Sequence, residues 1–247
     1  MSGPPTDGVL LKAEGLTKNF GALVVIDGVD FSVRARDAVG VVGPNGAGKT
    51  TLLSLLVGAH APTSGRVRFL GEDVTLEPTA ERCRRGLVRT HQIPRPFIGM
   101  TVFENVFAAA AHGGELEQKA AFDRAIDSLA LTGMTSVANR RAETLGLIDR
   151  KRLELARALA TEPAMLLLDE IGGGLTDAEA DELVEIILEV KARGVAIVWI
   201  EHIVHVLVKV AERLVCMDGG RIIADGAPES VMADPRVIEA YLGGGVV

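Results

Sequence analysis

Gly43-Pro44-Asn45-Gly46-Ala47-Gly48-Lys49-Thr50 matches the spacing G-x-x-x-x-G-K-[ST] without a departure. Glycines at these places let the backbone curl until successive N–H groups point inward, a shape that holds phosphate oxygens. A helix opening at the end of such a loop adds the positive end of its dipole to the same charge. Lys49 would reach the β- and γ-phosphates of a nucleoside triphosphate, Thr50 would offer a hydroxyl to Mg2+, and Thr51 closes the set of nucleotide contacts. A second candidate is Leu166-Leu167-Leu168-Asp169-Glu170, an apolar run ending in two acids. As a buried strand it would fix Asp169 at the carboxyl edge of a sheet, there to hold Mg2+ directly or through water as a Walker-B aspartate does. Glu170 would then be free to orient or deprotonate an attacking water.

The elements that must position these residues are legible around them. Ala38-Val39-Gly40-Val41-Val42 is a compact β-branched run, and Thr51 to Val57 is apolar almost all round, so the glycine loop lies between a buried strand and a buried helix. Apolar strands at Ala164 to Leu168 and Val195 to Ile200 flank an amphipathic helix, Asp177 to Ala192, with Leu183, Ile186, Ile187 and Val190 at helical spacing. That alternation implies a parallel sheet with crossover helices. Ahead of it, Leu10 to Thr17 and Leu23 to Val33 alternate about turn-prone residues and predict antiparallel strands. Between Pro94 and Thr161 no strand is evident, whereas Val102 to Ala111, Leu116 to Ala130 and Arg150 to Ala160 read as helices. The expected fold class is therefore α/β: a P-loop NTPase core, mostly parallel sheet with flanking helices, carrying an N-terminal antiparallel β subdomain and an inserted helical subdomain. Residues 1–247 form one domain in this reading, with 9–93 and 161–247 as core and 94–160 as the helical lobe.

Composition narrows the class. Of 247 residues 48% are hydrophobic and 24% charged, the mixture of a globular protein with a sizeable core. A net charge of −7 speaks against attachment to a nucleic-acid backbone, which needs a basic stripe. The basic run Glu81-Arg82-Cys83-Arg84-Arg85 reads as a solvated helix face. Cys83 and Cys216 stand far apart with no CxxC spacing, so they are expected as buried, reduced thiols. No apolar run reaches the ~18 to 20 residues that cross a bilayer. Met1 to Gly8 reads as a flexible lead-in and not a secretory signal, and the Gly243-Gly244-Gly245 tail is the only low-complexity stretch. A cytoplasmic protein is expected, with any membrane role exercised through a partner.

On these motifs the chain resembles the ATPase subunits of ATP-binding-cassette transporters, in particular those of branched-chain amino acid importers, from about Leu10 to Leu242. The resemblance implies further roles. Phe20, in Lys18-Asn19-Phe20-Gly21, matches the aromatic that stacks on adenine. Gln92, in Arg89-Thr90-His91-Gln92, matches the glutamine that touches Mg2+ and the water. His202, in Trp199-Ile200-Glu201-His202, matches the switch histidine of the γ-phosphate, while His205 has no such role and is read as structural. Pro94-Arg95-Pro96-Phe97, the segment Gly99 to Val106 and the ending Asp234 to Gly243 resemble the branched-chain subgroup. ATP and Mg2+ are the implied cofactors. The implied partners are a second ATPase subunit, two multi-spanning permease subunits and, indirectly, a substrate-binding protein, with the chain peripheral on the cytoplasmic face of the inner membrane. A lipopolysaccharide export ATPase and a soluble cassette regulator with weak hydrolysis remain as alternatives.

One family element departs. Where members carry an L-S-G-G-Q-like signature, this chain has Leu145-Gly146-Leu147-Ile148-Asp149, so the serine position is glycine and both signature glycines are replaced. A branched Ile where backbone should approach phosphate is a poor substitute. The distal loop also differs, with Gly173, Gly174, Leu175 and Thr176 in place of Ser-Ala-Leu-Asp. The expectation is a chain that works as half of an unequal pair, offering its partner a weakened signature.

Overall fold

The computed structural model describes residues 8–243; the greater part of the Met1 to Gly8 lead-in and of the glycine tail lies outside the described residues. In chain order the elements are β1 (Val9–Phe20), β2 (Leu23–Arg34), β3 (Ala38–Val42), α1 (Lys49–Leu56), β4 (Ser64–Phe69), β5 (Glu72–Asp73), α2 (Thr79–Arg84), β6 (Leu87–Arg89) and α3 (Val102–Ala108). There follow α4 (Gln118–Leu131), α5 (Leu147–Leu159), β7 (Met165–Asp169), α6 (Asp177–Ala192), β8 (Ala196–Ile200), α7 (Val204–Leu207), β9 (Arg213–Asp218), β10 (Arg221–Gly226), α8 (Pro228–Met232) and α9 (Pro235–Gly243). They gather into two compact units, one of residues up to Thr79 and from Ala196 onward, the other Ala80 to Val195.

The first unit holds the two expected antiparallel strands, β1 and β2, within a sheet in the order β2-β1-β4-β5, whose β4 and β5 were not foreseen. It also holds the strand that leads into the phosphate loop. β3 is buried throughout and pairs in parallel with β8 on one side and β9 on the other, while β10 returns antiparallel to β9. Gly219 and Gly220, both at positive φ, turn that last hairpin. The β9 and β10 strands escaped the sequence reading, although a two-glycine turn between apolar segments is a hairpin signal. The positive-φ glycines of the loop then hand over to α1, which starts at Lys49, within the loop motif itself. Leu52, Leu53, Leu55 and Leu56 are buried around most of its circumference, as its all-round apolar pattern requires.

In the second unit β6 and β7 pair in parallel, with Arg89 opposite Leu167. The three-residue β6 was not foreseen; it is too short to display periodicity. The helices α3, α4 and α5 close on an apolar cluster of Val102, Val106, Ala125, Leu129, Met134, Leu153 and Ala156 among others. α3 ends at Ala108 and widens into a π-turn over Ala109–Gly113, while α5 begins three residues earlier than its pattern suggested because Gly146 takes the extended N-cap conformation. The reading of Glu81 to Arg85 as a solvated face is corrected at Arg82, which is fully buried in α2. A six-residue helix still has an inner side, and Arg82 falls on it, whereas Arg84 stays outside and pairs with Glu81 and Glu115. Among the described residues no helix is long and apolar enough to cross a membrane, and both cysteines are free thiols, Cys216 buried as expected and Cys83, in α2, only half-buried.

Candidate nucleotide phosphate site

Two glycines of the loop explain why only glycine serves there. Gly43 sits at φ 141°, and a Cβ on it would lie 2.1 Å from the Met217 carbonyl oxygen. Gly48, at φ 100°, is the N-cap of α1, and a Cβ there would meet the Val25 carbonyl at 2.8 Å. Both close approaches bring the loop backbone against the strand framework, where any side chain would collide. Pro44 is half-buried, Asn45 and Gly46 are exposed, and Ala47 is buried with its amide donating to the Pro44 carbonyl at 3.2 Å. Lys49 is nearly buried, and its ammonium donates to the carbonyls of Gly43 at 2.7 Å and Pro44 at 2.9 Å. Thr50 is exposed at the first turn of α1 and Thr51 is half-buried beside it.

Strand register places the histidine at the same edge. Val41 of β3 lies opposite Ile200 of β8, so Gly43 and His202, each two residues further on, leave adjacent parallel strands at their carboxyl ends. That edge is where open α/β sheets bind ligands. His202 is exposed there, and His205, read as structural, is exposed as well. Phe20 ends β1 with 45% of its surface exposed. Its ring meets His60 edge-on at 5.6 Å, and the Lys18 ammonium stands 5.1 Å from its centroid. The ammonium lies over one face of the ring, so stacking on a base would use the other.

The second unit brings its own three residues together. β7 delivers Asp169 at its carboxyl end with 1% exposure, and the Arg89 guanidinium donates to its Oδ2 at 2.5 Å. Glu170 follows in the left-handed region at φ 48°, a conformation that costs a residue with a Cβ about 1–2 kcal/mol. Such strain persists where the surroundings enforce it, and here the Gln92 amide donates to Glu170 Oε2 at 2.5 Å. The glutamine segment is itself anchored to α5: the His91 amide donates to Glu154 at 3.2 Å, Arg157 donates to the Arg95 carbonyl at 2.7 Å, and its guanidinium stands 4.6 Å from the Phe97 ring centroid. Arg89, Glu154 and Arg157 went unremarked in the sequence because their function is to hold other residues, and no motif spacing announces that.

The two departures from the family pattern are neighbours. Leu147, 48% exposed in the first turn of α5, lies so close to Gly174 of the distal loop that a Cβ there would stand 3.3 Å from Leu147 Cδ2. Lys151 of α5, almost fully buried, donates to the Ile171 carbonyl of that loop at 2.7 Å. Gly146 has no atom within 4 Å of a notional Cβ.

Comparison with known proteins bears on this site. The family model for ABC transporters matches residues 26–172, and that described as branched-chain amino acid ATP-binding cassette transporter matches 221–247. The chain is 35% identical to the high-affinity branched-chain amino acid transport ATP-binding protein BraF of Pseudomonas aeruginosa, over 95% of this chain and 98% of that one. It is 36% identical to the LivG protein of the same description from Salmonella typhimurium, with the same coverage. It is also 33% identical, over 95% of its length and 97% of the relative, to the lipopolysaccharide export system ATP-binding protein LptB of Haemophilus influenzae. Among solved structures, a nucleotide-free ATP-binding cassette from an ABC transporter aligns with a TM-score of 0.87 at 32% identity, covering 94% of this chain and 98% of that one. The ADP conformation of such a cassette aligns with the same score and identity, covering 95% and 99%. With a family match across more than half its length and relatives above 30% identity along nearly all of it, the chain belongs to the ABC transporter family as one of its ATP-hydrolysing cassette subunits.

Proposed function

We propose that this cassette energises the uptake of branched-chain amino acids or related amides, pairing with a different ATPase chain beneath two multi-spanning permease subunits. It would sit peripherally on the cytoplasmic face of the inner membrane, with a substrate-binding protein supplying the solute outside. The observation that carries the import reading over the export one is the C-terminal match over 221–247, which the branched-chain description names. The phosphate loop between β3 and α1 carries the nucleotide assignment.

In this reading Phe20 presents a ring face to adenine, and the loop of Gly43, Pro44, Asn45, Gly46, Ala47 and Gly48, with Lys49, Thr50 and Thr51, takes the phosphates. The donors offered for Mg2+ by Asp169, Thr50 and Gln92 are one buried carboxylate and two neutral oxygens, which suits an ion that keeps waters and shares its shell with phosphates. When bound, Mg2+ would neutralise charge between the β- and γ-phosphate oxygens. Glu170 polarises the attacking water, and Gln92 steadies its carboxylate through the amide N–H, leaving the amide oxygen for the metal. His202 takes a γ-phosphate oxygen. Catalysis of this kind is positioning and charge stabilisation, which is why so many of the residues hold one another. Residues 1–247 act as a single cassette, 94–160 forming the helical lobe that faces the permease.

Purification of the native assembly tests this. The expected outcome is co-isolation with two multi-spanning chains and a second cassette, and ATP turnover in vesicles that rises with leucine-loaded binding protein. Turnover that ignores amino acids and responds to lipopolysaccharide would replace import by export.

A further inference from the structure

The last helix reaches back to the first residue of the phosphate loop. α9 opens with Asp234 and Pro235 and buries Val237, and Tyr241 lies one helical turn further along the same side. There the Gly43 amide donates to the Tyr241 hydroxyl oxygen at 2.9 Å. The Gly43 carbonyl meanwhile accepts from the Lys49 ammonium at 2.7 Å. One residue is thus gripped at its amide by a phenol and at its carbonyl by the lysine assigned to the phosphates. Gly43 cannot yield sideways, because Met217 backbone stands against its Cα. Any rearrangement of Lys49 toward a phosphate tail must therefore be felt at the Gly43 peptide, and the group that takes up its amide is Tyr241. Burial raises the phenol above its ordinary value of 10.0 while the hydrogen bond from Gly43 acts the other way, so the hydroxyl stays protonated and neutral at physiological pH.

We infer that Tyr241 is a positioning residue for the phosphate loop, through which the C-terminal helix sets how well Gly43 to Thr50 are pre-shaped for nucleotide. This rests on the assignment of that loop to the phosphates. The chain contains a single tyrosine, so protein carrying tyrosine labelled with carbon-13 at the phenolic carbon gives one resonance for this hydroxyl. Addition of Mg-ATP to the labelled, otherwise unaltered chain is expected to move that resonance. Tyr241→Phe keeps the ring and deletes the acceptor, and it is expected to raise the Kd for ATP about 2- to 10-fold, the range of one neutral hydrogen bond. Leu242→Ala, on the exposed next position of the same helix, is expected to bind ATP as the unaltered chain does. A resonance indifferent to Mg-ATP, or a Tyr241→Phe variant binding with unchanged Kd, or equal weakening by both substitutions, would each overturn the inference. Lys49→Ala measured alongside separates the two levels: if it loses ATP while Tyr241→Phe does not, only the tyrosine's role fails, and if it binds normally the loop assignment fails and the inference with it.

Discussion

Lys49 and Glu170 are both committed to neighbours, and their partners define separable roles. The Lys49 ammonium bridges two carbonyls of its own loop, an arrangement that keeps a nearly buried cation solvated by backbone until a better anion arrives. Lys49→Ala should weaken ATP binding about 10- to 150-fold, the worth of a charged hydrogen bond, as calorimetry with Mg2+ will read. Glu170 is held by Gln92 and by a strained backbone, neither of which the isosteric amide disturbs sterically. Glu170→Gln should therefore bind ATP within a few-fold of the unaltered chain while phosphate release falls about 10²- to 10⁴-fold, the scale of lost general-base action. Equal loss of binding in both variants would contradict the division of labour. Arg89 belongs to the same scale: its removal takes the paired cation from the buried Asp169 carboxylate, and Arg89→Ala should cost about 3–5 kcal/mol in urea unfolding.

At the scale of elements, α6 is set by a capping box in which Thr176 and Glu179 satisfy each other's backbone amides. The amide and then the hydroxyl of Thr176 hold the Glu179 carboxyl below its ordinary 4.5. A depressed folded value means that this stabilisation is complete above the unfolded pKa and disappears as pH falls through the folded one. Thr176→Ala should thus cost about 0.5–2 kcal/mol at pH 7, and the gap from the unaltered chain should narrow on acidification well below pH 4.5. Urea unfolding at the two pH values decides it. The start of α5 makes a different prediction. Leu147 lies beside Gly174, so the altered signature and the altered distal loop are neighbours, and the proposed unequal pair would place both against an unlike partner. Glu170→Gln protein alone should stay monomeric with ATP in light scattering, and adding Gly146→Ser, Leu147→Gly and Ile148→Gly should promote ATP-dependent pairs. Homodimers of equal yield without those changes would end the unequal-pair proposal.

For the molecule as a whole, the thiols say how its interior is kept closed. Cys216 lies inside β9, where burial pushes its thiol up to about 11, and Cys83 is raised by burial as well. Neither is a reactive thiolate near neutrality. Iodoacetamide at mildly alkaline pH should label Cys216 only as fast as the fold opens, and a reductant should leave the melting temperature unchanged; prompt labelling of Cys216 in the native protein would refute its burial.

What the sequence determined by itself was local: a loop whose glycines, lysine and threonine stand at fixed spacing, the strand and helix on either side, and the acids ending Leu166 to Leu168. Such features are legible because backbone conformation and side-chain period are encoded within a few neighbouring residues. Only the tertiary structure decided which residues hold which. The Arg89 bond to Asp169, the Gln92 bond to Glu170 and the reach of Tyr241 to Gly43 link positions from 78 to 198 apart along the chain, and the contact of Leu147 with Gly174 joins the start of one helix to a loop beyond the next strand. No pattern in the linear order announces them, because a hydrogen bond depends on where two chain segments meet in space and not on the residues that separate them.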